Sequence, residues 1–317
     1  MRLTPDAAGT FAIAPTPFHD DGRIDEASID RLTDFYAEVG CDGMTVLGIL
    51  GEAPKLDAAE AQAVATRFVK RAKSLQVIVG VSAPGFATMR ALARASMDAG
   101  AAGVMIAPPP SLRTDEQITG YFRQAAEAIG DDIPWCLQDY PLTLSVVMTP
   151  KVIRQIVMDN RSCVMLKHED WPGLEKITKL RAFQKDGSLR PLSILTGNGG
   201  LFLDFEMERG ADGAMTGYCF PDMLVDVVKL SKAGQRDLAH NLFDAHLPLI
   251  RYEQQQGVGL AVRKYVLKKR GILASSAQRK PGSVLTDTAR EEVDYLLSRL
   301  AHTDKRADFE PRVKAAE

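Results

Sequence analysis

The stretch VMLKHEDWPG, residues 164–173, places an apolar run directly before Lys167, His168, Glu169 and Asp170. A surface lysine normally alternates with other polar residues, whereas Lys167 ends a segment that reads as a buried strand. On a strand, Cys163, Met165 and Lys167 share one face. An ammonium held over such an apolar floor is desolvated, which lowers its pKa and frees a nucleophilic amine. The chemistry open to that amine is Schiff-base formation with a carbonyl. The competing reading is a lysine that faces a helix layer or extends its tip to solvent.

Other segment ends offer partners for such chemistry. LGILGEAPKL (47–56) brackets Ile49 and Leu50 with Gly48 and Gly51, a turn whose backbone amides suit a carboxylate. CLQDYP (136–141) presents Gln138 and Tyr140 with the same parity, and Asp139 reads as a loop cap. TGNGG (196–200), with Gly197 and Asn198, and AMTGYCFP (214–221), with Met215 and Thr216, follow two later strands. Asn198 suits either a sugar hydroxyl or a plain Asn-Gly turn. His19, His168, His240, His246 and His302 form no HExxH, so no metal is expected. His168, next to Lys167, should point the opposite way, between strand and helix.

Eight short apolar runs must position these groups: 11–18, 43–49, 77–83, 103–109, 135–140, 163–169, 192–198 and 213–218. Their spacing fits a strand, a helix and two loops rather than a hairpin. The intervening segments read as helices. Asp57 with Glu60, and Thr114 with Gln117, have capping-box spacing, and Thr149-Pro150 is an N-cap followed by proline at the first helical position. Fully apolar strands alternating with helices imply a covered parallel sheet. Eight units match the α/β class in its (β/α)8 TIM-barrel form. A doubly wound sheet is the runner-up, but it usually has fewer strands and the first βα turn lacks GxGxxG; no cofactor is expected. The barrel is assigned to 1–233, a C-terminal helical extension to 234–302, and a polar, disordered tail to 303–317. The segment 264–271, KYVLKKRG, reads as a solvated helix face with a glycine stop.

Bulk properties narrow the function. The chain has 317 residues, 25% of them charged, with a formal net charge of −2. That balance gives no reason to expect nucleic acid or an anionic membrane as partner. No apolar run approaches the ~20 residues that span a bilayer. Cys41, Cys136, Cys163 and Cys219 form no CxxC and read as buried thiols of a reducing cytoplasm. The N-terminal stretch has no secretory pattern.

In order and spacing the strand ends resemble the dihydrodipicolinate synthase / N-acetylneuraminate lyase family of class I aldolases, over roughly residues 8–300. APTPF, GILGE, DAGAAGVMIAPP, QDYP, LKHED and GNGGLFLDFEMERGADGAMTG carry the likeness. The resemblance implies a (β/α)8 barrel with C-terminal helices, a homo-oligomer (tetramer or dimer), and metal-free covalent chemistry on pyruvate or another 2-keto acid at Lys167. It also reveals departures. The family's Thr/Ser-Thr pair is Ile49-Leu50 here. Gln138 stands where the family carries its acid–base tyrosine, with Tyr140 two residues on. Thr143 replaces the arginine with which synthases grip a second carboxylate. The aromatic pair after the fourth strand is Pro109-Pro110.

These departures argue against lysine biosynthesis and for a divergent Schiff-base lyase or aldolase. Loops two and eight are expected to hold the C1 carboxylate, chiefly through the Gly48 to Gly51 amides. Tyr140, or Gln138 through a water, is expected to manage protons. The alternative reaction is dehydration of a 2-keto-3-deoxy sugar acid. An inactive keto-acid-binding barrel, and a phosphate-binding barrel using GNGG and TGY, complete the set. The last is weakened because neither loop carries a basic residue.

Overall fold

Strands β1 (Gly9–Ile13), β2 (Gly43–Val46), β3 (Gln76–Gly80), β4 (Gly103–Ile106), β5 (Trp135–Asp139), β6 (Cys163–His168), β7 (Ser193–Thr196) and β8 (Gly213–Thr216) pair in chain order, and β8 closes on β1. All pairs are parallel. The computed structural model describes residues 1–309. Its helices are α1 (Glu26–Glu38), α2 (Ala58–Arg71), α3 (Phe86–Ala99), α4 (Asp115–Ile129), the single turn α5 (Pro141–Leu144), α6 (Pro150–Asp159), α7 (Leu174–Lys185), α8 (Leu203–Glu208), α9 (Pro221–Lys232), α10 (Arg236–Glu253), α11 (Gly259–Lys269) and α12 (Asp287–Ala301). The TIM barrel expected from the apolar runs is therefore the fold. The strands are shorter than those runs because their last residues leave the sheet as loops at the C-terminal mouth.

Local chemistry explains the helix starts. Both capping boxes form, Asp57 with Glu60 ahead of α2 and Thr114 with Gln117 ahead of α4. Each satisfies two otherwise orphaned N–H groups. Thr149 caps α6 with Pro150 at its first position. Helix α1 starts at Glu26, where the Asp25 side chain accepts from the Ser28 N–H.

Two apolar shells hold the barrel. The lumen is filled by Phe11, Ile13, Ile78, Met105, Cys136, Met165, Leu195 and Met215. Gly43 makes room for this filling: a Cβ there would lie 2.4 Å from the Phe11 ring. The outer shell joins the strands' other face to the helices. Cys163 belongs to this outer shell, not to the face of Lys167 as alternation predicts. Trp135 pairs with Cys163 but Cys136 pairs with Met165, so Val164 is an extra residue in β6. That bulge resets the parity. From Met165 onward alternation holds, and Lys167 points into the lumen mouth.

The helices after β8 form a third cluster centred on Phe220, Phe243, Ile250, Val262 and Val266. They do more than cover a side of the barrel. Lys264, at the start of the segment read as solvated, is completely buried, donating to Thr16 O at 2.8 Å and Ala277 O at 2.8 Å and pairing with Glu52. A buried ammonium is tolerated only with such partners, and Glu52 lies on the β2 loop. The ion pair thus pins the extension across the barrel mouth. The expected tail from 303 is docked as far as Phe309: Asp304 lies 2.9 Å from His246, Ala307 is buried, and Phe309 stacks on Phe220. Residues 310–317 of that tail lie outside the described residues. No helix among the described residues is long and apolar enough to cross a membrane.

Candidate active site

Lys167 sits at the mouth end of β6 with 5% of its side chain exposed. Its Nζ is 3.0 Å from Glu169 Oε2. Gln138, the neighbour of Lys167 on β5, donates from Nε2 to the same carboxylate oxygen at 2.7 Å. The other carboxylate oxygen accepts the Asn198 N–H at 3.3 Å. The lysine therefore faces the lumen, as one of the two sequence readings requires. Its surroundings differ from the expected bare apolar floor, because a held carboxylate stands beside the amine.

These groups open into a cavity of about 720 Å³. Its wall includes Lys167, Glu169, Gln138, Tyr140, Asn198 and Thr216, with Ile49 and Leu50 on the β2 side. Gly48, Gly51, Gly197 and Met215 lie behind the wall rather than on it. Met215 fills the lumen one layer down. Gly51 is occupied structurally: its carbonyl accepts the Thr16 hydroxyl at 2.6 Å and its N–H bonds Gly48 O at 3.0 Å. Of the Gly48 to Gly51 amides expected to hold a carboxylate, that of Gly51 is thus spent within the turn.

Tyr140 lines the cavity on the loop after β5. Burial raises its pKa and the Glu169 charge adds to the rise, while a hydrogen bond with Thr143 and the Arg263 charge oppose it. The phenol therefore stays protonated near neutrality. Gln138, expected to act through a water, donates one of its two amide N–H groups to Glu169.

Gly197 shows why the β7 loop needs a glycine. A Cβ there would lie 2.4 Å from Glu169 Cγ. The Gly197→Ala variant should displace the carboxylate by about 1 Å and lower turnover by roughly 100-fold, with Lys167 still able to form an imine. Unchanged steady-state kinetics would show that the carboxylate's placement is immaterial.

The alternate residues face outward, as their parity predicts. His168 Nε2 contacts Gly173 O at 3.1 Å, between strand and helix. Asp139 pairs with Lys176 at 2.7 Å instead of capping a loop.

Sequence reasoning missed several wall residues, among them Glu169, Glu253, Gln254 and Arg263. Glu169 continues the parity of Lys167, and that alternation is the signal that could have found it. Glu253, Gln254 and Arg263 come from the C-terminal helices and their connecting turn. Two glycines of the β7 and β8 loops admit this roof. A Cβ on Gly199 would lie 1.5 Å from Gln254 Nε2, and one on Gly217 would lie 2.2 Å from Arg263 Nη1. Among the described residues, no group of three or more His, Cys, Asp or Glu side chains could hold a metal ion.

A closed (β/α)8 barrel with a buried lysine beside a carboxylate at its mouth defines a lyase of the class I aldolase type. The chain belongs to the dihydrodipicolinate synthetase family, whose sequence profile matches residues 6–300. It is 30% identical over 303 residues to the L-2-keto-3-deoxyarabonate dehydratase of Azospirillum brasilense, covering 94% of this chain and 96% of that one. It is 28% identical over 291 residues to the 4-hydroxy-tetrahydrodipicolinate synthase of Chlorobium luteolum, covering 90% and 95%. A solved structure described as the dihydrodipicolinate synthase of Rhodopseudomonas palustris superposes with a TM-score of 0.94 at 90% identity, covering 94% of this chain and 99% of that chain.

Proposed function

We propose that Lys167 condenses with the C2 carbonyl of a 2-keto-3-deoxy sugar acid and that the enzyme expels the C4 hydroxyl as water. The observation that carries this reading is the Glu169 carboxylate, 3.0 Å from Lys167 Nζ and fixed by Gln138 and Asn198. Before attack the lysine must shed a proton, and Glu169 is the acceptor within reach. Attack of the amine on C2 gives a carbinolamine, and loss of water gives the iminium, which draws electrons from C3. Glu169 then takes a C3 proton to leave an enamine. The enamine pushes out the C4 hydroxyl, which leaves as water with the proton that Glu169 or the Tyr140 phenol returns. Hydrolysis frees Lys167 and, after tautomerisation, a 2,5-dioxo acid.

The wall chemistry supports a polyhydroxylated substrate. Gln138, Asn198, Thr216, Gln254 and Gln278 line the cavity with neutral hydrogen-bonding groups. Thr143 lines it where a synthase's arginine would meet a second carboxylate. The Azospirillum brasilense relative is named for a dehydratase of this substrate class. The synthase names belong to the proteins that bear them, and the departures that line the present site, Ile49-Leu50, Gln138 and Thr143, weigh against that reaction here.

A second reading, aldol cleavage to pyruvate and an aldehyde, uses the same imine with Glu169 removing the C4 hydroxyl proton. Product analysis with a 2-keto-3-deoxypentonate separates the two. We expect a 2,5-dioxo acid, detected by its reduction with a nicotinamide-free chemical hydride or by mass. Stoichiometric pyruvate in its place would assign cleavage. We further infer a homo-oligomer of two or four chains, supported by the exposed Trp171 packed against the exposed Phe202 at a ring distance of 5.0 Å. A cytoplasmic setting is supported by four free, buried cysteines.

A further inference from the structure

We propose that Arg263 binds the C1 carboxylate of the substrate, an assignment that rests on the Schiff-base reading above. Three observations converge. Arg263, on α11, is 2% exposed and contributes to the wall of the cavity that holds Lys167. Its Nε and Nη2 both engage Glu253 Oε1, at 2.6 and 2.5 Å. Its Nη1 is buried without any hydrogen-bond partner among the described residues. Buried donors left unpaired are rare and cost stability, so this one points to an acceptor that arrives with the ligand.

The position of Nη1 identifies the acceptor. It lies on Gly217 of the β8 loop, where a Cβ would be 2.2 Å from it and 3.1 Å from Leu50 Cδ1 of the β2 loop. Loops two and eight therefore meet at this guanidinium. That is the corner where a carboxylate must dock, and it is poorly equipped without Arg263. Ile49 and Leu50 bring no hydroxyl, and the Gly51 N–H is committed to Gly48 O. A charged N–H is the donor that best replaces them. Glu253 already offsets much of the arginine's charge, which leaves one N–H edge for a single carboxylate rather than for a dianionic phosphate. The glycine at 217 and the arginine at 263 are thus two halves of one device, because any side chain at 217 would displace the guanidinium.

The test is reductive trapping at Lys167 with two ketones of similar size, pyruvate and its neutral amide, read by mass spectrometry of the intact chain and its peptides. Arg263→Lys keeps the ion pair with Glu253 but cannot present the second nitrogen. The pyruvate concentration for half-maximal labelling should rise roughly 10- to 100-fold in that variant, while the value for pyruvamide stays within about twofold. The double variant R263M/E253Q removes both charges together and should give the same contrast, so the result stands even if Arg263→Lys fails to fold. Equal changes for the two ketones, or no change for either, would overturn the carboxylate assignment alone. Failure of both ketones to label Lys167 in the unaltered enzyme would instead overturn the Schiff-base reading, and this assignment with it.

Discussion

The Lys167→Arg enzyme should be inactive, with turnover reduced on the order of 10⁴- to 10⁶-fold, and should take up no label when treated with pyruvate and borohydride. The substitution is chosen to be gentle on the fold. Lys167 is buried against Glu169, and deleting its charge would leave a carboxylate unpaired in the interior, at a cost of about 3–5 kcal/mol. Arginine keeps a cation beside Glu169 while removing the amine proposed to form the imine. A melting temperature near that of the unaltered protein, with lost labelling and lost turnover, isolates the nucleophile from the fold. Retained turnover in this variant would remove Lys167 from the mechanism, and borohydride label on a different lysine, such as Lys55 of the same cavity wall, would transfer the imine to it. Lys264, another buried lysine near the barrel mouth, is the natural internal control. It is held by Glu52 and two carbonyls and is absent from the cavity wall.

Glu169→Gln should lower kcat by roughly 10²- to 10⁴-fold while pyruvate still labels Lys167 to the same final extent under borohydride. The amide preserves the shape of the side chain that Gly197 and Gln138 surround, but it cannot take a proton. Imine formation can draw on water for its proton transfers given time, whereas abstraction at C3 needs a positioned base. Tyr140→Phe provides the comparison. The phenol lines the same cavity and its pKa is raised by burial and by Glu169, so it can donate a proton but is a poor base. Its loss should cost about 10-fold. A reversed order, with the phenylalanine variant nearly dead and the glutamine variant nearly intact, would transfer the proton chemistry to Tyr140. A thermal melt of Glu169→Gln belongs beside the kinetics, because the substitution leaves Lys167 without its ion-pair partner.

The barrel was legible because its determinants are local. Apolar runs of strand length recur at the spacing of a βα unit, and capping boxes at Asp57 and Thr114 mark where helices begin. Parity along β5 and β6 placed Gln138 and Lys167 inward and His168 outward. The same parity argument failed at Cys163, where a bulge at Val164 shifts the register. An extra residue in one strand is visible only against its partner strand, so no pattern within β6 could announce it. Glu169 lay within reach of the alternation rule, but one strand cannot show what Gln138 and Asn198 contribute from β5 and the β7 loop.

What the sequence determined by itself was the ring of strands and the lysine at its mouth, because both follow from short-range periodicity. What only the tertiary structure decided was the company that lysine keeps: a carboxylate fixed by two neighbouring segments, and a roof of Glu253, Gln254 and Arg263 lowered onto glycines at 199 and 217. The extension's segment from 264 reads as a solvated face, yet Lys264 is buried on Glu52. Charged residues on a helix reveal a burial only when the distant partner that neutralises them is in place.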